Sequence, residues 1–337
     1  MFARKTLSLL ISITQFINIK FKQMKTIISI IMMLLVFESF AQQDAGFSMY
    51  FFNPVYINPG YAGSREALSG TMVHRSQWAG MSDAPTTQSI TAHSAIPNSN
   101  IGLGFQLYND NIGPMRNTGL NLTYAYHLPL GKDSKIAFGV TGMLSNIKVE
   151  WNRINVQDEN DLAFTQNRTS NWVPDAAAGI YFYQKRLFAG ISANHLMESK
   201  FGLSTNPGSD YAKFYRQFYL TSGIAVPINA NFDVRPSVLM KIVNATPAVF
   251  DFNATAIYLK RYYLGLGFRY ADRIKIPGSD NMLVGIFQYE FARFFRVGYS
   301  YDYYLNRNKS YNSGTHEIMF GWDFNPIKTK MSNPRFF

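Results

Sequence analysis

The stretch Tyr262-Tyr263-Leu264-Gly265-Leu266-Gly267-Phe268-Arg269-Tyr270 alternates bulky residues with small or charged ones. Side chains of an extended chain point to opposite faces at period two, so this is a two-faced strand and not a helix. One face carries Tyr262, Leu264, Leu266, Phe268 and Tyr270; the other carries Gly265, Gly267 and Arg269. Similar segments recur from about Ser64 to Phe324, at roughly 67–78, 86–96, 101–109, 117–128, 135–149, 173–183, 187–195, 213–226, 232–243, 248–259, 262–271, 282–290, 293–304 and 314–324. Several exceed the five or six residues usual in globular sheets and suit a tilted membrane strand of about 9–11. In the penultimate segment Phe295, Val297, Tyr299, Tyr301 and Tyr303 share one face, against Arg296, Gly298, Ser300 and Asp302. An Arg and an Asp would be costly in a sandwich core but not in a wet lumen. The expected fold is all-β: a transmembrane antiparallel β-barrel of about 14 strands, an even number, with its apolar face on lipid.

The connections sort by length. Alternate ones are short: Pro97 to Asn100, Pro129 to Ser134, Gln184 to Arg186, Pro227 to Asn231, Lys260 to Arg261, and Phe291 to Ala292. The other set is mostly longer, notably Glu150 to Trp172 and Leu196 to Ala212, with the link near Asn244 an exception. Short periplasmic turns opposite long outer loops are the outer-membrane arrangement, with both termini expected in the periplasm of a Gram-negative bacterium.

Ahead of the strands, Lys20, Lys22 and Lys25 precede the apolar run Thr26 to Phe37, followed by Ser39-Phe40-Ala41. This run is too short to span a bilayer and predicts a cleaved signal peptide over residues 1–41, rather than a retained anchor helix. Met24 is a plausible initiator, with 1–23 an over-extended start. Residues 42–63, with Asn53-Pro54 and Asn58-Pro59-Gly60, are too rich in turns for a strand and predict a periplasmic lead, or partial plug, at the barrel opening. The barrel covers 64–324 and a periplasmic tail 325–337, made basic by Lys328, Lys330 and Arg335.

Chemistry is sparse. There is no Cys, which excludes disulfides, thiol catalysis and a lipid-anchoring thiol. His74, His93, His127, His195 and His316 are far apart and lack metal-ligand spacing. No phosphate-binding loop or nucleophile elbow occurs, so neither a cofactor nor an enzymatic activity is expected. The net charge of +11 falls to +7 once Arg4, Lys5, Lys20, Lys22, Lys25 and Glu38 leave with the signal. That excess is scattered over turns and polar faces, which discounts nucleic acid.

A set of ordered strings stands above this background. Asn58-Pro59-Gly60-Tyr61-Ala62-Gly63-Ser64 is followed by Arg75-Ser76-Gln77-Trp78 and Ala84-Pro85-Thr86-Thr87-Gln88. Then come His93, Ile101-Gly102-Leu103-Gly104, Asn109-Asp110-Asn111-Ile112-Gly113-Pro114 and Tyr124-Ala125-Tyr126, and later Phe188-Ala189-Gly190-Ile191-Ser192 with His195-Leu196. In these strings the mature chain resembles the PorP/SprF family of outer-membrane proteins in type IX secretion systems. Gly60 departs from the commoner Ala.

The resemblance implies a non-enzymatic component supporting export or surface attachment of cargo with C-terminal sorting domains, including adhesins used in gliding. Its partners would be outer-membrane lipid, that cargo and other secretion components. The strings themselves read first as architecture: Asn58-Pro59-Gly60 as a tight turn, Trp78 at the outer membrane interface, and Asn109-Asp110 with Gly113-Pro114 as an outer turn. The functional alternative groups Arg75, Gln77, Thr86, Gln88 and His93 as a polar cluster that touches a secreted partner. Residues 151–172 and 196–212 are the expected contact loops. Two other readings stay open: a channel for small solutes plugged by 42–63, and an outer-membrane hydrolase using Ser, His and acid.

Overall fold

The computed structural model describes residues 46–150, 153, 170–202, 212–244, 246–271, 281–292, 294–305 and 312–324. The expected signal peptide and basic tail lie outside these residues, as do most of the two long loops.

Alternation produces strands throughout: β1 Leu68–Ser76, β2 Thr86–Ala95, β3 Ile101–Ile112, β4 Met115–Pro129, β5 Ser134–Val149, β6 Ser170–Gln184 and β7 Leu187–Asn194. A small hairpin follows, β8 Lys200–Phe201 with β9 Ala212–Lys213. Then come β10 Gln217–Ile224, β11 Val226–Asn229, β12 Phe232–Val243, β13 Val249–Tyr258, β14 Tyr262–Ala271, β15 Met282–Phe291, β16 Phe295–Tyr304 and β17 Thr315–Phe324. With β10 and β11 as two halves of one stave and the β8–β9 pair outside the wall, the strands form a closed 14-strand antiparallel barrel. β10 joins β7 to β12, and β1 closes on β17 from Leu68↔Phe324 to Ser76↔His316. Closure leaves no stave without a neighbour, which is what a sheet in lipid requires.

Two expected turns are strand. Asn109 and Asp110 lie inside β3, paired with Thr118 and Asn117, and only Gly113-Pro114 turns. Side-chain hydrogen bonds across the strands, such as Thr118 Oγ1 to Asn109 Oδ1 at 3.0 Å, hold the hairpin extended. Pro227 sits within β11 opposite Asp233, beside a register shift at Pro227/Asn229 that accommodates its missing N–H.

The bulky stripes face outward. Leu266 is 76% exposed and Leu264 62%, with Tyr262, Phe268 and Tyr270 beside them, while Tyr263 points inward and is buried. No helix among the described residues is long and apolar enough to cross a membrane; strands do so.

The interior overturns one expectation. Arg296, Ser300 and Asp302 face inward, but not into water: all are buried, Asp302 completely. Residues 46–67 fill the lumen. Three single 3-10 turns, Tyr50–Phe52, Pro54–Tyr56 and Pro59–Tyr61, carry this segment among the inward side chains. Phe47, Met49, Tyr50, Phe51, Phe52 and Ile57 form one apolar cluster with Val73, Tyr263, Val284, Ile286 and Met319 of the wall. Tyr61 and Ala62 form another with Ala137, Tyr181 and Tyr183. Burying each large side chain is worth roughly 1.5–3 kcal/mol, so the segment is part of the core.

Candidate functional site

Asn58 shapes the middle of this segment. Its Oδ1 accepts the Gly60 N–H at 2.9 Å, capping the third turn. Its Nδ2 donates to the Ile180 and Ile191 carbonyls at 3.0 and 3.3 Å, binding the turn to β6 and β7. Ser192 Oγ adds a bond to the Ile57 carbonyl at 2.6 Å. The wall is thinned to admit the backbone: a Cβ on Gly139 would lie 2.3 Å from Gly60 N, and one on Gly102 2.0 Å from the Ala62 carbonyl oxygen. These wall glycines therefore serve close backbone approach.

Below Asn58, Gly63 takes a φ of +82° and donates its N–H to His93 Nδ1 at 3.1 Å. The Ala62 carbonyl can only accept, so His127 carries its proton on Nε2 at 2.8 Å and accepts from Tyr183 at Nδ1. Tyr61 stands edge-on to His93 and Tyr181 and accepts from Arg65 Nε at 2.8 Å. Arg65 pairs with Asp323 at 2.9 Å, and Arg296 pairs with the same carboxylate.

Above Asn58, Glu317 accepts the backbone N–H groups of Ser48 and Met49, each at 2.9 Å. Arg75 bridges Glu317 at 2.9 Å and Asp302 at 3.0 Å, and Ser48 Oγ donates to Asp302 at 2.8 Å. Asn253 Nδ2 donates to the Tyr50 hydroxyl at 2.9 Å. Both ion-pair groups straddle the β1–β17 closure: Arg75 of β1 meets Glu317 of β17 and Asp302 of β16, and Asp323 of β17 accepts from Ser69 of β1 as well as pairing with Arg296 of β16.

Over the upper end of the segment lies a cavity of about 480 Å³. Phe47, Tyr50, Tyr56 and Ile57 border it from within, and Arg75, Trp78, Asp110, Tyr219, Lys241 and Tyr304 are among its walls. Its size falls in the range of ligand pockets. Trp78, with φ of +53°, is packed partly buried against the inner apolar cluster and lines this vestibule instead of facing lipid at an interface. The positive φ ends the strand alternation, so Arg75, Gln77 and Trp78 all reach the same space, with Pro85 and Asp110.

The expected polar cluster of the first hairpin is not one cluster. Arg75 and His93 are inward but at different depths, bonded to Ser48 and to Gly63. Thr86 and Gln88 point outward, where Gln88 contacts Asn109 at 2.8 Å and His74 at 3.4 Å. The reason is parity: Thr87, Ser89, Thr91 and His93 take the buried face of β2. Gly113 holds the turn beside Pro114, its N–H bonded to the Asp83 carbonyl at 3.1 Å. The residues that sequence reasoning passed over are Ser48, Arg65, Glu317 and Asp323; the inward Arg296 and Asp302 it had placed on the polar face of β16 were the visible signal of their partners.

Asp175 and His195 make the nearest approach to catalytic chemistry, at 3.1 Å. His195 is 1% exposed and stacked on Phe214 with centroids 4.6 Å apart, while Asp175 also accepts the Ala176 and Met197 N–H groups. A ring so enclosed fastens a loop and offers no face to a substrate. Among the described residues no cluster of three or more His, Cys, Asp or Glu side chains could hold a metal ion.

With this geometry in view, the sequence comparison is decisive. The profile of the type IX secretion system membrane protein family PorP/SprF matches residues 39–322. The chain belongs to the PorP/SprF family. No curated protein matches the sequence. Among solved structures, the CymD monoaromatic hydrocarbon channel is similar at a TM-score of 0.50 and 12% identity, over 81% of this chain and 91% of that one. The toluene transporter TbuX of Ralstonia pickettii aligns at a TM-score of 0.45 and 9% identity, over 79% and 92%. Omp33 of Acinetobacter baumannii aligns at 0.40 and 9%, over 77% and 99%. These likenesses concern the barrel fold. A PorP/SprF chain with this wall is an outer-membrane barrel and a membrane component of type IX secretion.

Proposed function

We propose that this PorP/SprF barrel supports export or surface attachment of particular cargo proteins bearing C-terminal sorting domains, and does so without catalysis. The observation that carries the reading is the lumen filled from Ser48 to Arg65 by hydrogen-bonded chain. A barrel so occupied is suited to holding a partner at its mouth more than to passing solutes. The loop-bearing end, with its vestibule and the loops within 151–172 and 196–212, is the surface we assign to the cargo. The short turns and the tail 325–337 are assigned to other secretion components.

The test is a chromosomal deletion, followed by a census of exported proteins at the cell surface and co-purification from membranes with the restored barrel. Loss of one or a few sorting-domain proteins from the surface, with those same proteins retained on the purified barrel, supports the proposal. A deletion strain that displays its full cargo normally sinks it.

A second reading, a plugged channel for small solutes, is favoured by the aromatic lining of the vestibule and by the likeness of the wall to the CymD channel. Steady single-channel conductance of the intact protein in planar bilayers would favour that reading instead.

A further inference from the structure

The lead segment has a direction. Its contacts descend the barrel in sequence order. Gly46 and Phe47 border the vestibule, beside Gln77, Trp78, Pro85 and Ile112 at the ends of β1, β2 and β3 that carry the 77–85 and 113–114 connections. Ser48 and Met49 meet Glu317, two residues into β17, and Asp302, two residues before β16 ends. Asn53 meets Thr91 in the middle of β2. Asn58 reaches β6 and β7 farther down. Gly63 meets His93 near the end of β2, and Arg65 meets Asp323, one residue from the end of β17. Glu66 pairs with Lys135, at the start of β5, at 2.6 Å. The chain then turns into β1 at Leu68.

The same parity assigns the connections. Links 77–85, 113–114, 150–169, 195–216, 244–248, 272–281 and 305–314 are at the upper end, two of them short, and 96–100, 130–133, 185–186, 230–231, 259–261 and 292–294 at the lower. The lead segment's end anchors, Glu317 and Asp323, are six residues apart on β17, about 20 Å at the roughly 3.3 Å rise of a strand, so the stretch from Ser48 to Arg65 runs most of the length of that ten-residue stave.

We infer that the processed chain is threaded through its own barrel, so that its amino-terminal side emerges at the long-loop, cell-surface end while β17 finishes at the periplasmic end. Gly46 and Phe324 then lie at opposite faces of the outer membrane, in place of an entry and an exit both on the periplasmic face. The physical grounds are the anchors just described. Reversing the segment would strip Glu317 and Asp302 of the Ser48 and Met49 donors and leave Asp323 without Arg65, and each buried charge needs its partner. Threading also orders assembly. A chain delivered from the periplasm cannot push a free end up a closed, packed lumen, so the wall must close around the lead segment. The ion pairs of Arg75 with Asp302 and Glu317 span that closure, where β1 meets β17.

The absence of Cys makes the test direct. Gly46 is exposed and a Cβ there meets nothing within 4 Å, and the same holds for Gly131 on a lower turn. Single variants Gly46→Cys, Gly131→Cys and Ser82→Cys, the last in the exposed 77–85 link, are treated in intact cells with a maleimide on a long polyethylene glycol chain. The same labelling is then repeated after the outer membrane is permeabilised. Threading predicts that Gly46→Cys labels in intact cells to about the extent of Ser82→Cys, while Gly131→Cys labels only after permeabilisation. Gly46→Cys falling in the class of Gly131→Cys overturns the inference. A heat-modifiable band for each variant shows that the barrel folded, so a misfolded variant is not scored. Cargo binding plays no part in the readout, so failure here and failure of the proposed function are separable.

Discussion

Ser48 and Glu317 are 269 residues apart in sequence, yet the Ser48 backbone N–H donates to Glu317 Oε2 at 2.9 Å inside the barrel. The same carboxylate receives Met49 N–H and Arg75, so one side chain of the last strand joins the first strand to the segment before it.

Glu317→Ala should therefore cost more than the loss of one contact. It leaves Arg75 with one carboxylate, Asp302, in place of two and strips the Ser48 and Met49 N–H groups of their acceptor, a loss of about 3–5 kcal/mol by analogy with broken buried pairs. The check is the temperature at which the folded, fast-migrating band disappears on gels. Glu317→Gln, which keeps an acceptor, should fall between wild type and Ala. A double-mutant cycle with Arg75→Met should show coupling above about 0.5 kcal/mol.

Gly139→Val should displace the lead segment without a change on the lipid face. Its side chain would occupy the positions of Gly60 N and the Pro59 carbonyl, already 2.3 and 2.5 Å from a bare Cβ. We expect residues 46–63 to become cleavable by added protease and bilayer conductance to rise above that of the wild type. A protected segment in this variant would contradict the assigned packing.

The outward stripe makes a prediction of opposite sign for charge on the two faces. Leu266→Arg, on an exposed mid-strand position, should destabilise the inserted barrel by about 2–4 kcal/mol if it lies near the membrane midplane. Arg269, inward on the same strand and paired with Asp251 at 2.6 Å, is tolerated. Leu266→Phe should be close to neutral in the same refolding titration.

Asp175→Ala should act locally. It removes the carboxylate that binds His195 and the Met197 N–H, so limited proteolysis near 195–202 should quicken while the barrel's heat-modifiable mobility is kept. Undiminished display of cargo by this variant would also speak against the hydrolase reading, because the Asp175–His195 pair on which that reading would rest would then be dispensable.

Most of the wall was legible from Tyr262–Ala271 and its counterparts, because a strand between lipid and interior writes its two environments into alternate residues. That code is local, and it set strand number, pairing order and the sorting of loops. Where it blurred, around Asn109 and Pro227, polar residues and Pro mimicked turns, and only the cross-strand partners decided that the chain stays extended. The interior was a different matter. Asn58-Pro59-Gly60 announced a tight turn, but nothing local states that Gly102 and Gly139 are bare to admit it, or that Glu317 waits for Ser48. The sequence by itself determined a two-faced cylinder, since each residue needs to know only which side it faces. The tertiary structure alone decided how far the lead segment enters that cylinder and which way it runs, because those contacts join residues that meet only after the wall has closed.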